Sequence, residues 1–195
     1  MGEVILPFRT AKPRHVTQAR STLIVSGIQT LRAHGVYDLY SELLSPDLRQ
    51  DMMSLVAGLW IPWTLALEHY RTMDKLALPK STIETIGAEV AERGSKTTMT
   101  SLPSGTDRTP WRMLLMSHRN LDTNWKGSDM KVTKEGPRQA ILVWAGQPCA
   151  SVPYFVTSWG AFIRARTALY CTSASHRVLT EACTPTTIAI ELSWV

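Results

Sequence analysis

Apolar residues recur at helical spacing over the first two thirds of the chain and at strand spacing over most of the last third. Beyond Thr17, Leu23, Ile24, Ile28 and Leu31 share one helical face, and His34-Gly35 supplies a stop before a short helix over residues 37–44. Ser45-Pro46-Asp47 then has the chemistry of a helix start. A serine oxygen can accept from free amides, proline suits the first helical position, and an acid is favourable near the positive end of the helix dipole. Leu48, Met52, Leu55, Val56 and Leu59 form one stripe, which predicts a helix to about Trp60, with Pro62 closing it and opening the next over residues 63–76. Two helices should therefore meet at Trp60-Ile-Pro-Trp63.

Ser81 with Glu84 three residues on is a capping-box signature, Ile83, Ile86 and Val90 lie on one face, and Gly94 is suited to a left-handed cap. Residues 95–109, rich in Ser, Thr, Gly and Pro, read as a long exposed loop and the best candidate for a lid. Thr109-Pro110 opens a helix over residues 111–121, with Trp111, Leu114, Leu115 and His118 as inward candidates. Alternation begins at Asp129. Residues 129–133 and 140–144 make a hairpin around Glu135-Gly136-Pro137. Residues 154–171 are mostly helical, and residues 176–183 and 187–194 make a second hairpin around Thr184-Pro185-Thr186. In its last strand Ile188, Ile190, Leu192 and Trp194 take one path and Ala189, Glu191 and Ser193 the other. An apolar last strand left at a sheet edge would invite pairing with a second copy.

The expected fold class is α+β: N-terminal helices packed on a C-terminal antiparallel sheet of two hairpins joined by a helix. With no linker-like stretch, residues 1–195 read as one domain. It divides into an arm over 1–16 with a short edge strand at Val4-Ile5-Leu6, a mainly helical part over 17–123, and a hairpin-helix-hairpin part over 124–195. The net charge of +5 sits mainly in the second half. There Arg108, Arg112, Arg119, Lys126, Lys131, Lys134 and Arg138 alternate with Asp107, Asp122, Asp129 and Glu135, the pattern of solvated faces rather than of a specific nucleic-acid surface. Three cysteines without a Cys-x-x-Cys pair, and a start without a signal-peptide pattern, fit a reducing cytoplasm. The longest apolar run is broken by Pro62 and followed by Glu68 and His69, which predicts no membrane span.

Four short motifs carry a resemblance: Asn124-Trp-Lys-Gly-Ser128, Lys134-Glu-Gly-Pro137, Pro153-Tyr-Phe155 and Ile190-Glu-Leu-Ser-Trp194. With the helical first half, and over residues 20–195, they resemble an uncharacterised domain family expanded in myxobacteria, which itself resembles the haem-NO-binding and 4-vinyl-reductase-type sensor folds. The resemblance implies a small, largely apolar ligand enclosed between helices and an antiparallel sheet. The chain departs from those relatives at their cofactor motifs. It has no Tyr-x-Ser-x-Arg for haem propionates, so haem is doubtful, and Cys149, Cys171 and Cys183 lack the clustering that holds a structural zinc, so spacing gives zinc no support.

No residue pattern names a reaction. His34, His69, His118 and His176 show no zinc-type spacing, no glycine-rich phosphate loop is present, and Cys171 near His176 has neither an elbow nor an activating partner. The chain is read as non-catalytic, although a site assembled from distant residues stays open. Seven tryptophans are many for this length; a tryptophan-rich core accounts for them, and rings beside adaptable methionines would also wall an apolar pocket. The pocket candidates are Trp60, Trp63, His69, Tyr70, Met73, Trp111, His118 and Phe155. Of these, His69 reads first as a partly exposed histidine paired with Glu68 or Asp74. The expected function is a small-molecule-binding or sensory domain whose apolar pocket lies between helices and sheet. The alternative is a structural or protein-interaction module without ligand, in one form a homodimer.

Overall fold

A computed structural model describes residues 2–98 and 108–195. The chain opens with strand β1 (Glu3–Leu6), then an arm leads to β2 (Gln18–Arg20) and helix α1 (Ser21–Ala33). Gly35, at φ 68°, takes the left-handed conformation that ends this helix. Helices α2 (Tyr37–Glu42) and α3 (Pro46–Met53) follow, and the Ser45 side chain accepts from the Leu48 amide as the sequence predicts. α3 stops at Met53, well short of Trp60. The Ser21 hydroxyl donates to the Val56 carbonyl and accepts from the Leu59 amide, and these bonds hold the chain in a turn where its apolar stripe would have continued the helix.

Residues Trp60–Pro62 are strand β3, not a junction of helices. They pair with β2, Ala19 opposite Ile61 and Arg20 opposite Trp60. Pro62 sits at the outer end of that strand, where its missing N–H costs nothing, and it precedes α4 (Trp63–Lys75). Helix α5 (Lys80–Thr98) begins before Ser81, whose carbonyl accepts from the Thr85 hydroxyl, so Ser81 lies inside the first turn and is not the cap. Gly94 does not stop the helix. The lid expectation for 95–109 falls largely on residues 99–107, which lie outside the described residues. Thr109 caps α6 (Pro110–Leu115) by accepting from the Arg112 amide, and a break at Met116 separates it from α7 (Ser117–Asn124).

The alternating part forms β4 (Trp125–Lys126), β5 (Asp129–Gly136) and β6 (Gln139–Ala145), then α8 (Pro153–Ala168), β7 (Ala174–Val178) and β8 (Thr187–Trp194). The main sheet is antiparallel throughout, in the order β1-β5-β6-β8-β7, and a small sheet runs β3-β2-β4. The two expected hairpins are thus one sheet, joined where β6 meets β8. Ala140, Leu142 and Trp144 face the core beside Leu192, Ile190 and Ile188. β8 is paired on both sides. It offers no free edge, so the reason for expecting a homodimer through it is gone.

The fold is therefore α+β, with helices packed on the C-terminal sheet. One contiguous set of buried side chains runs from Val16 to Trp194. Its centre is aromatic: Trp144 lies 5.6 Å from Trp125, 5.8 Å from Phe155 and 4.4 Å from Trp159, ring centre to ring centre. α5 and α8 meet closely at Gly87, where a Cβ would overlap the carbonyl of Ser158. That contact draws four helices around one small space.

Candidate functional site

The inward face of α4 is Ala66, Leu67, His69, Tyr70 and Met73, at the spacing that puts one stripe of a helix against a core. His69 is 2% exposed, which corrects its reading as a partly exposed residue. The two expected partners point elsewhere. Glu68 takes Arg71 at 2.7 Å, and Asp74 accepts from the Tyr154 amide at 2.8 Å, where a carboxylate suits the N-terminus of α8.

His69 instead meets Tyr40 of α2, Nδ1 to phenol oxygen 2.8 Å. The phenol has one hydrogen and Nδ1 is the acceptor at hand, which assigns the ring proton to Nε2. Burial pushes the imidazole pKa down to about 3, so the ring is neutral at physiological pH, and burial likewise pushes the Tyr40 and Tyr70 phenols up. Nε2 faces α1, 3.4 Å from where a Cβ on Gly27 would stand. A side chain at that position would close the space in front of the nitrogen.

That space is a cavity of about 40 Å³ among α1, α4, α5 and α8. Gly27, His69, Tyr70, Ile86, Gly87 and Phe155 line it. Leu23, Val90, Trp159 and Phe162 also line it and are half-buried, so it opens toward the surface on their side. The walls come from helices alone, which differs from the expected place between helices and sheet. The Trp125 and Trp144 rings, behind Phe155, fill the region nearest the sheet.

Of the eight candidates, His69, Tyr70 and Phe155 come together here. Met73 is core, and Trp63 packs half-buried against that core. Trp60 lies on the small sheet within reach of Arg20 and Lys126, 4.6 and 4.7 Å from its ring centre. Trp111 stacks edge-on with Trp194 and donates its indole N–H to the Pro137 carbonyl. His118 donates to the Met130 carbonyl at 2.7 Å and lies 3.1 Å from Asp129, away from the cavity. Gly27, Gly87 and Tyr40 were missed. Single glycines inside strong helical patterns were the available signal for the first two, since they mark close approach; nothing local singled out Tyr40.

Among the described residues, no group of three or more His, Cys, Asp or Glu side chains could hold a metal ion. The three cysteines are free thiols, and burial pushes that of Cys149 up to about 12, so it is protonated and inert. No helix among the described residues is long and apolar enough to cross a membrane.

No family model and no curated protein matches this sequence. Solved structures do match in shape. An Fe(II) unliganded H-NOX protein from K. algicida aligns at a TM-score of 0.65 and 8% identity, over 90% of this chain and 96% of that one. An oxygen-binding H-NOX domain related to soluble guanylate cyclases, in its oxygen complex, gives 0.61 and 10%, over 90% and 94%. A mutant T. tengcongensis H-NOX gives 0.62 and 8%, over 90% and 97%. The chain has the fold of H-NOX domains, the haem-NO-binding sensor fold.

Haem does not fit the residues around His69. The cavity there is several-fold smaller than the roughly 300 Å³ at which cofactor pockets begin. The imidazole is held through Nδ1 by Tyr40, and its free side faces Gly27 with no room for a macrocycle.

Proposed function

We propose that this chain is a sensory domain that binds a small, mainly apolar molecule in the cavity at His69. The observation that carries this reading is the pairing of an apolar-walled cavity with one buried, neutral imidazole whose Nε2 faces Gly27 of the cavity lining and whose Nδ1 is held by Tyr40. A cavity needs only about 10–15 Å³ for one water, so 40 Å³ admits a molecule of a few heavy atoms. Rotation of the half-buried Trp159 or Phe162 would admit more. The imidazole then donates one hydrogen bond, and the walls exclude water. The fold supports a sensory role, because the structures it matches include an oxygen-binding domain. No side chain at the cavity is placed to act as an acid, base or nucleophile at neutral pH, and we assign it binding without catalysis. The three free thiols fit a reducing cytoplasm.

Native mass spectrometry and an ultraviolet-visible spectrum, on protein purified from several expression hosts, test this. The expected result is a small adduct that is lost in Gly27→Leu, whose side chain fills the space before Nε2. Bare protein from every host, or an adduct that Gly27→Leu retains, overturns the reading.

The second reading, an interaction module, is favoured by the exposed apolar side chains on α2, α3 and the segments that follow them.

A further inference from the structure

Residues 37–59 fold as a two-faced strap. Tyr40, Leu44 and Met52 turn inward to the core. Leu39 (58% exposed), Leu43, Met53 (65%), Val56 and Leu59 turn outward, and they are five of the eight large apolar side chains left exposed among the described residues. Leu39 and Leu43 stand one helical turn apart on the same face of α2 and its cap. The Arg49 guanidinium donates to the Ser41 carbonyl and ties α3 to α2, while the Ser21 bonds to Val56 and Leu59 pin the rest of the strap against the start of α1.

The charge around these side chains is acidic in a basic chain. Asp38, Glu42, Asp47 and Asp51 are all exposed, and with Arg49 as the only cation the strap carries −3 against +5 for the whole chain. None of the four carboxylates has an ion-pair partner among the described residues. Arg49 is spent on a backbone carbonyl. Arg32 lies over the ring of Tyr37 at one end of the strap, and Arg20 over that of Trp60, just beyond the other end.

We propose that this acidic strap, with its exposed apolar side chains, docks a cationic amphipathic helix from a partner protein. Such a helix lays an apolar stripe on Leu39, Leu43 and Met53 and sets Lys or Arg against the four free carboxylates. Met53 supplies an adaptable contact. The charge disfavours the other occupants. Two copies meeting symmetrically through this face would bring acid against acid, and an anionic lipid surface would repel it. This inference does not rest on the cavity. It has the same helix in common with it, since α2 carries Tyr40 inward and Leu39 outward.

The test uses the full chain and two synthetic 14-residue helical peptides of identical leucine pattern, one filled with lysine and one with glutamate. Titration calorimetry should show the lysine peptide binding and the glutamate peptide not binding. Affinity for the lysine peptide should fall at least tenfold in Leu39→Ser/Leu43→Ser, fall similarly in Asp38→Lys/Asp47→Lys, and weaken with salt. Amide shifts should be confined to residues 37–59. Unchanged affinity in both double variants, shifts centred elsewhere, or equal binding of the glutamate peptide overturns the proposal. So does a concentration-dependent dimer that Leu39→Ser/Leu43→Ser abolishes, or co-flotation of the protein with anionic vesicles. All substituted side chains are exposed, and an unchanged thermal melt confirms that each variant is folded.

Discussion

At the scale of single residues, His69 makes the protein sensitive to acid in a calculable direction. Unfolded, its imidazole has the ordinary value of 6.5; folded, burial holds it near 3. Its titratable neighbours Tyr40 and Tyr70 are neutral phenols, so burial alone sets the shift. The unfolded chain therefore binds the proton first, and stability is complete above about pH 6.5 and lost as the pH falls toward 3. Between pH 7.5 and 5 the loss from this one group is about 2 kcal/mol. Urea unfolding at the two pH values should show a loss of that order in the native chain and a smaller one in His69→Gln. His176, which burial also lowers, is present in both chains and cancels in the comparison. Equal slopes would mean that His69 is hydrated or protonated in the folded state. The sequence favours a partly exposed histidine paired with Glu68 or Asp74, because histidine is seldom fully buried. A helix decides by angle, not by adjacency, and both acids lie on other faces of α4.

Among the elements, α5 and α8 form the closest helix pair, and Gly87 is what permits it. A side chain there must displace the Ser158 backbone, and Gly87→Val should destabilise the chain by roughly 1–3 kcal/mol as an overpacking change. Gly94 lies on the same helix, and a Cβ there meets nothing within 4 Å, so Gly94→Ala should raise the melting temperature slightly through helix propensity. Thermal melts of the two variants should move in opposite directions. Element type was legible where a period was sustained, as in α1, α4, α8 and the β5–β6 hairpin. It was misread over residues 54–62, whose apolar stripe suits a helix but whose backbone groups are claimed by Ser21 and by β2. Those partners are about 40 residues away in sequence, beyond any local window.

At the scale of the whole molecule, the N-terminal arm closes the structure. Asp129, 2% exposed, accepts from the Arg9 amide at 2.6 Å and the Thr10 amide at 3.3 Å, and Arg9 reaches on to Asp122. Asp129→Ala should cost on the order of 1–3 kcal/mol, through loss of a buried acceptor. Hydrogen exchange should then quicken at Arg9 and Thr10 while the amides between β6 and β8 stay protected. Protection retained at Arg9 and Thr10 would show that β1 pairing alone holds the arm.

The sequence by itself determined the α+β class, the order of most elements and the aromatic character of the core, because those follow from period, capping chemistry and composition along a continuous stretch. Only the tertiary structure decided that the two hairpins are one sheet with β8 inside it, and that the cavity lies among four helices with His69 buried against Tyr40. It alone also placed a strip of leucines and free carboxylates on the outside of α2 and α3. Each of these depends on which faces of distant elements meet, and a one-dimensional pattern records that a face exists but not what covers it.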